Sequence, residues 1–153
     1  MTVGEAIAQA KHLRHAAMND DGTTYYRWLT EVEQEIVEHL NRHVDPEYTP
    51  GTAPGFDPLN LGHPPDDGDL ADWLDPDDYV YTSDDTTEEM ILPVRWEMIY
   101  VYKLMCEIDM TVGETEQYNK DATLYNQMMD EWKAWVRRTM TPKQDHRRSW
   151  ALV

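Results

Sequence analysis

The chain has 153 residues and a mass of 18.0 kDa, the size of a single domain with a modest hydrophobic core. Its formal net charge is −17, so the protein as a whole repels nucleic acid, and phosphate binding would require a local basic patch. The single cysteine, Cys106, excludes an internal disulfide, and no apolar run is long enough to suggest a membrane partner.

Residues 2–43 are predicted to form two short helices. Thr2 and Glu5 fit a capping box, in which each side chain satisfies a backbone N–H left open at a helix start. The turn "NDDG" at residues 19–22 ends the first pattern, because Asn, Asp and Gly favour turn geometry. Apolar residues at helical spacing define one buried stripe per helix: Val3, Ile7, Ala10 and Leu13, then Trp28 or Leu29, Val32, Ile36 and Leu40.

Residues 44–87 are predicted to form a long acidic, proline-rich loop or an insertion draped over a helical body. Seven of the nine prolines lie here, and between Arg42 and Arg95 fourteen carboxylates are opposed by no Lys or Arg. Such a composition buries too little apolar surface to offset the entropy of ordering the chain. Scattered apolar residues are candidate anchors, either on the same chain or on neighbouring chains: Phe56, Leu59, Leu61, Leu70, Trp73, Leu74, Tyr79, Val80 and Tyr81.

Residues 88–141 are predicted to form a long αα-hairpin, with helices over about 93–112 and 114–140. Pro93 suits a first helical turn, and Gly113 suits the residue that ends a helix. Apolar residues step by four and three along both helices: Val94, Met98, Val101, Met105, Ile108 and Val112, then Tyr118, Ala122, Tyr125, Met129, Trp132 and Val136. The expected fold is therefore all-α, a small helical bundle built on this hairpin.

Each hairpin helix also carries a second apolar stripe. These stripes are Ile99, Tyr102, Cys106 and Met110, and Leu124, Met128 and Trp135. A helix that is apolar on two sides is either central in its own fold or covered by a partner. Because only two short helices are predicted to cover the hairpin, a partner is favoured, and Met, Trp and Tyr are enriched in interface cores.

No pattern in the sequence indicates an enzyme, a metal site or a cofactor. His39 and His43 lie four residues apart with Glu35 one turn earlier. This spacing could hold a transition metal, but the more ordinary interpretation is a hydrated helix face. The acidic run at residues 75–85 lacks the spacing of an EF-hand loop. Cys106 lies among apolar residues, where a thiol is inert, and no nucleophile elbow, P-loop or dinucleotide-binding glycine motif is present.

Residues 142–153 form a basic and apolar tail on an acidic chain. Two interpretations remain open: a frayed helix end whose cations complement the helix dipole, and a docking peptide anchored by a tryptophan. Under the second interpretation, the residues that would dock on a larger assembly are Arg147, Arg148, Trp150 and Leu152.

Both ends of the chain resemble the head–tail connector proteins (adaptor or head-completion proteins) of long-tailed bacteriophages. The N-terminal part of the resemblance is a short helix, an Asn/Asp turn and a helix carrying Trp28 and Leu29. In the hairpin it is a proline-started helix, the pair Gly113 and Glu114, the repeat Y-N-x5-Y-N at residues 118–126 and a closing Arg-Thr before a proline. The acidic segment 44–87 is longer than the family pattern.

The resemblance implies a structural virion protein at the head–tail junction, made in the host cytoplasm. The chain would form a homo-oligomer, a closed ring of about twelve subunits (a dodecamer). The portal protein would lie above this ring and a stopper or tail-completion protein below it. The ring would extend the DNA channel, and double-stranded DNA would pass through it without specific binding.

The Tyr-Asn repeat is interpreted as part of a seam between subunits. Residues seven apart lie on one side of a helix, and polar groups on an apolar seam fix register and oligomer state. The candidate interface residues are Tyr118, Asn119, Tyr125, Asn126, Met128 and Trp135. The candidates for lining the channel or contacting the tail are Asp66, Asp67, Asp69, Asp72, Trp73, Asp75, Asp77 and Asp78.

The alternative function is that of an acidic DNA mimic, which blocks a nucleic-acid-binding host protein. The fourteen carboxylates between Arg42 and Arg95 motivate this alternative. Assembly state separates the two functions, because a mimic acts as a monomer or dimer, whereas a connector must form a ring.

Overall fold

The computed structural model describes residues 1–14, 23–44 and 74–139. The helices are α1 (Val3–Leu13), α2 (Thr23–His43), α3 (Met98–Val112) and α4 (Thr115–Thr139), with short 3-10 helices at Pro76–Tyr79 and Val94–Trp96. No strand occurs in the described ranges, so the prediction of an all-α fold is confirmed. None of the helices described there combines the length and apolarity needed to cross a membrane.

Helix α3 lies at the centre of the bundle and contacts the other three helices. Its buried residues occupy most of its circumference, among them Ile99, Val101, Leu104 and Cys106, while Met110 is exposed. The prediction that a partner covers the second stripe of this helix is therefore wrong for Ile99 and Cys106. The physical reason is that α2 is 21 residues long rather than short, so α1, α2 and α4 together enclose α3.

The hairpin turns where the sequence predicts, but its first helix starts later. Gly113 ends α3 in the left-handed conformation (φ 81°), and its N–H and that of Glu114 donate to carbonyl groups of the last turn. Pro93 precedes a 3-10 turn instead of the first turn of α3, and Val94 in that turn is 80% exposed. The stripe predicted on this helix is buried in its middle, at Val101, Met105 and Ile108.

The other predicted stripes meet in the core. Helix α1 begins with the predicted capping box: Thr2 Oγ1 accepts from the Glu5 N–H at 3.2 Å, and the Glu5 carboxylate accepts from the Thr2 N–H at 2.8 Å. Leu13 is the exposed exception on that helix. The core joins α1, the whole stripe of α2 and the second half of α4: Val3, Ile7, Ala10, Leu29, Val32, Ile36, Leu40, Met129, Trp132 and Val136.

Residues 74–92, which we call the strap, run along α2. Asn41 of α2 exchanges two hydrogen bonds with the backbone of Leu74, at 2.8 and 2.9 Å. Gln34 Nε2 donates to the carbonyl oxygens of Pro76 and Tyr79, at 2.7 and 3.2 Å. These side chains bond to backbone groups of the strap and so help to hold it against α2.

Five buried side chains anchor the strap: Leu74, Tyr81, Met90, Ile91 and Leu92. Leu74 and Tyr81 lie in the core, and the Tyr81 N–H donates to Thr30 Oγ1 at 2.9 Å. Val80, between the anchors, is exposed. Residues 74–87 of the predicted insertion or loop therefore lie against α2 and α1, while residues 45–73 of the acidic segment lie outside the described residues.

The end of the strap closes on the N-terminus of α1. The Val3 and Gly4 N–H groups have no acceptor inside their helix and donate to the carbonyl oxygens of Glu88 (3.0 Å) and Thr86 (2.9 Å). Glycine permits this close approach, because a Cβ at position 4 would lie 2.9 Å from the Thr86 carbonyl oxygen. The strap therefore needs glycine at the second position of α1.

Gly4→Ala is expected to lower the free energy of unfolding by about 1–3 kcal/mol, because the new Cβ overpacks against the Thr86 carbonyl. Alanine is otherwise favoured over glycine in a helix by about 1 kcal/mol, so the sign of the effect is diagnostic. Urea unfolding measures it, with Ala8→Gly at an exposed position of α1 as the propensity control. A Gly4→Ala variant that is more stable than the unchanged chain would show that the strap does not press on α1.

Candidate functional site

The first half of α4 presents most of its side chains to solvent. Between Thr115 and Met128 the buried residue is Asp121. Of the candidate interface residues, Asn119 and Asn126 are exposed, and Tyr118 is half-buried. The second apolar stripe of α4 is only partly covered, since Leu124 is 41% exposed. This flank of α4 remains a candidate contact surface.

Two of the predicted interface residues have partners inside the chain. The Tyr125 hydroxyl donates to Glu35 Oε2 at 3.1 Å, and Lys103 Nζ lies 5.9 Å from the centroid of its ring. Burial, together with the negative charge of Glu35, raises the pKa of this hydroxyl. The ring of Trp135 packs 6.2 Å from that of Trp96. Tyr125 and Trp135 therefore help to hold α4 in its own subunit.

The strap carries the part of the acidic segment that the structure describes. Asp75, Asp77 and Asp78 are exposed, and the Asp75 carboxylate accepts from the Asp77 N–H at 3.0 Å to cap the 3-10 helix. The remaining channel or tail candidates and all the docking candidates of the C-terminal tail lie outside the described residues: Asp66, Asp67, Asp69, Asp72, Trp73, Arg147, Arg148, Trp150 and Leu152.

A polar cleft of about 250 Å³ separates the end of α2 from α4; its lining residues are Glu35, Glu38, His39, Arg42, His43 and Lys133. The His39 and His43 rings lie 4.6 Å apart. Burial, followed by the charges of His43 and nearby cations, lowers the pKa of His39 to about 4. Within the described ranges, no three or more His, Cys, Asp or Glu side chains are grouped to hold a metal ion. At neutral pH the cleft therefore contains an uncharged His39 imidazole and two ion pairs, Arg42 with Glu38 and Lys133 with Glu35.

A buried carboxylate joins α2, the strap and α3. Glu33 is fully buried and accepts hydrogen bonds from the Tyr81 hydroxyl (3.1 Å), the Ile91 N–H (3.4 Å) and the Tyr100 hydroxyl. The Tyr100 hydroxyl in turn accepts from the Leu92 N–H at 3.0 Å. Burial raises the pKa of Glu33 to about 7, although the three donors act in the opposite direction. This cluster was not predicted from the sequence.

The pKa of Glu33 leads to a pH-dependent stability. Its pKa rises from 4.5 to about 7 on folding, so between these pH values the folded chain keeps a proton that the unfolded chain has lost. The Glu33 contribution therefore falls by roughly 3 kcal/mol as the pH rises through this window and is constant above it.

Glu33→Gln has no proton to lose at this position. We expect the free energy of unfolding of this variant, measured relative to that of the unchanged chain, to rise as the pH rises from 4.5 to 7. The contributions of other titrating groups cancel in this difference. Urea unfolding at several pH values provides the measurement. A difference that stays constant over this window would rule out a protonated buried Glu33.

A second buried cluster ties the end of α1 to the hairpin. Arg14, which follows the last residue of α1, forms ion pairs with Asp109 of α3 (3.2 Å) and with Asp121 of α4. Both aspartates are buried. Burial and the neighbouring Asp121 raise the pKa of Asp109 to about 6, while Arg14 opposes this shift. The guanidinium therefore bridges two adjacent carboxylates, compensates the charge of one of them and links three helices.

The polar groups of each buried cluster bond to other groups of the same cluster. The exposed features of the described residues are an acidic strap and a polar flank of α4. Comparison with protein-family models, with curated proteins and with solved structures finds no match to this chain.

Proposed function

We propose that this chain is a structural subunit of a bacteriophage head–tail connector, which assembles as a closed ring beneath the portal. The ring extends the DNA channel and offers the attachment surface for the stopper or tail. The resemblance of the helix pair and of the Tyr-Asn hairpin to connector proteins supports the proposal. The structural observation that carries it is the exposure of Asn119 and Asn126 on one flank of a 25-residue helix.

The two exposed amides have the geometry of a register device. At 1.5 Å per residue they lie about 10 Å apart along α4, and the seven-residue spacing puts them on the same side. Each amide both donates and accepts hydrogen bonds. A neighbouring subunit that matches this spacing fits in one register only, which is what a ring of identical copies requires.

The charge of the subunit suits passage of DNA. A ring of chains with a formal charge of −17 each offers no strong phosphate-binding site, and the wall of its channel repels the duplex. DNA then slides through without being held. The buried clusters around Glu33 and Arg14 serve a different purpose in this proposal, because they keep the subunit rigid while it bears its neighbours.

Assembly state tests the proposal. The full-length chain is mixed with the portal protein of the phage that encodes it, and the mass of the complex is measured by native mass spectrometry. We expect many copies of the chain, roughly twelve, per portal ring. A chain that stays monomeric or dimeric under these conditions would contradict the connector and favour the acidic DNA mimic.

A further inference from the structure

The middle of the strap, residues 75–89, is held to the bundle at few points; we call this segment the latch. Tyr81 is the only buried residue of the latch, and its other residues are exposed or half-buried. The latch also forms hydrogen bonds with Thr30 and Gln34 of α2 and with the first turn of α1. A segment with so few buried apolar contacts opens at a lower free energy than a helical core.

The buried residue of the latch is bonded to the buried carboxylate of α2. The Tyr81 hydroxyl donates to Glu33 Oε2 at 3.1 Å, and Glu33 is fully buried. From outside the latch, the Ile91 N–H (3.4 Å) and the Tyr100 hydroxyl donate to the same carboxylate. Around the α2 axis Glu33 lies about 60° from Thr30, which accepts from the Tyr81 N–H at 2.9 Å. Opening the latch would therefore remove one donor, uncover this flank of α2 and admit water to the carboxylate.

No cation compensates the charge of Glu33 in the described part of the chain. The titratable groups that face its carboxylate are the Tyr81 hydroxyl of the strap and the Tyr100 hydroxyl of α3, and burial raises the pKa of both, so they stay neutral. Tyr79 and the exposed Glu88, both in the latch, lie near Tyr81 and supply no positive charge. A carboxylate buried among neutral donors alone is less favourable than the same carboxylate in water.

We propose that residues 75–89 act as a proton-controlled latch, which opens from α2 as a local unit and opens more readily once Glu33 has lost its proton. With the latch closed, burial raises the pKa of Glu33 from 4.5 to about 7, whereas with the latch open the carboxyl meets water. The open state therefore binds fewer protons, and its population rises with pH. The opening equilibrium is expected to increase by up to about 100-fold between pH 5 and pH 8. This inference concerns the single subunit and does not depend on the ring.

Native-state hydrogen exchange of the full chain, followed by NMR, measures the opening. The Tyr81 amide, which bonds to Thr30, reports on the latch, while the Trp132 amide in the second half of α4 reports on global unfolding. We expect the opening that exposes the Tyr81 amide to be at least about tenfold more frequent than global unfolding, and to respond only weakly to low concentrations of urea.

Glu33→Gln isolates the effect of the proton, because glutamine keeps the shape of the side chain and does not titrate. The intrinsic exchange rate of the Tyr81 amide is the same in both chains, so it cancels in the ratio of their exchange rates. This ratio, unchanged chain over variant, is expected to rise by up to about 100-fold from pH 5 to pH 8. Glu88→Gln, which removes an exposed carboxylate from the latch itself, is the matched control and should give a constant ratio.

Tyr81→Phe is a second variant that does not alter the carboxylate. It keeps the buried ring and removes the hydroxyl that donates to Glu33. Because a hydrogen bond to a charged acceptor is stronger than one to a neutral acceptor, the increase in latch opening should be larger at pH 8, roughly tenfold or more, than at pH 5.

Two results would overturn the inference. If the Tyr81 amide exchanges no faster than the Trp132 amide at every pH, the latch opens only when the whole chain unfolds. If the unchanged chain and Glu33→Gln keep a constant ratio of exchange rates between pH 5 and pH 8, or Tyr81→Phe has the same effect at both pH values, the proton on Glu33 does not control the opening. The connector proposal stands in either case.

Discussion

Trp132→Ala is expected to lower the free energy of unfolding by roughly 3–5 kcal/mol, the cost of emptying a large buried site. Trp132 is fully buried, and its ring lies 5.3 Å from that of His39 on α2. It thus fills the space between the second half of α4 and the end of α2. Urea unfolding gives the change directly, provided that the dependence on denaturant is unchanged.

Trp135→Ala is the matched control on the same helix. Trp135 is half-buried against Trp96, so its removal opens less of a void and is expected to cost clearly less. Equal losses for the two variants, or no loss at Trp132, would mean that α4 does not pack through the face seen here.

Arg14→Met is expected to cost about 3–5 kcal/mol at pH 7, because it leaves two buried carboxylates without their cation. Methionine nearly keeps the side-chain volume of arginine, so the loss of stability measures the contribution of charge and hydrogen bonding. Asp109 and Asp121 are 2% and 3% exposed, which prevents water from replacing the guanidinium. Adding Asp121→Asn to the Arg14→Met chain removes one of the two charges and is expected to recover part of the stability.

The pH dependence of the Arg14→Met variant is a second readout. The pKa of Asp109 is about 6 in the folded chain even beside Arg14, against an ordinary value of 3.8. Without the arginine it rises further, so above about pH 6 the folded variant keeps a proton on Asp109 that the unchanged folded chain has lost. The loss therefore shrinks as the pH falls from 7 towards 6. Arg27→Met removes an exposed cation 4.0 Å from Glu31 and should cost less than about 1 kcal/mol. If Arg14→Met lost as little stability as Arg27→Met, and the loss did not depend on pH, the ion pairing of Arg14 with the two buried aspartates would be contradicted.

Local rules of spacing were sufficient for the helices. The capping box at Thr2, the left-handed Gly113 and the stripe of α2 each depend on residues within a few positions of one another, and each is confirmed. The central position of α3 depends on how the other helices enclose it. Periodicity alone therefore left open whether its two apolar sides met this chain or another.

The strap and the buried clusters depend on contacts between distant residues. Asn41 and Gln34 look like ordinary polar helix residues until the strap lies against them. Glu33 carried a usable signal, because helical spacing places it between Leu29 and Val37 on the buried side of α2. No sequence pattern indicated the role of Arg14, because Asp109 and Asp121 come close to it only when the hairpin folds.

The candidate contact residues divide in the same way. Helical period placed Asn119 and Asn126 together on an exposed flank of α4, as the sequence indicates. It did not reveal that Tyr125 would donate its hydroxyl to Glu35, 90 residues earlier in the chain. The docking role of the C-terminal tail stays a prediction.

Imaging the head–tail junction in virions of the phage that encodes this chain decides whether the chain is a connector subunit. We predict a closed ring of identical copies of this chain directly beneath the portal, with the Asn119 and Asn126 side of each α4 at the contact with the next copy. A junction ring built from a different chain, in virions from which this chain is absent, would contradict it.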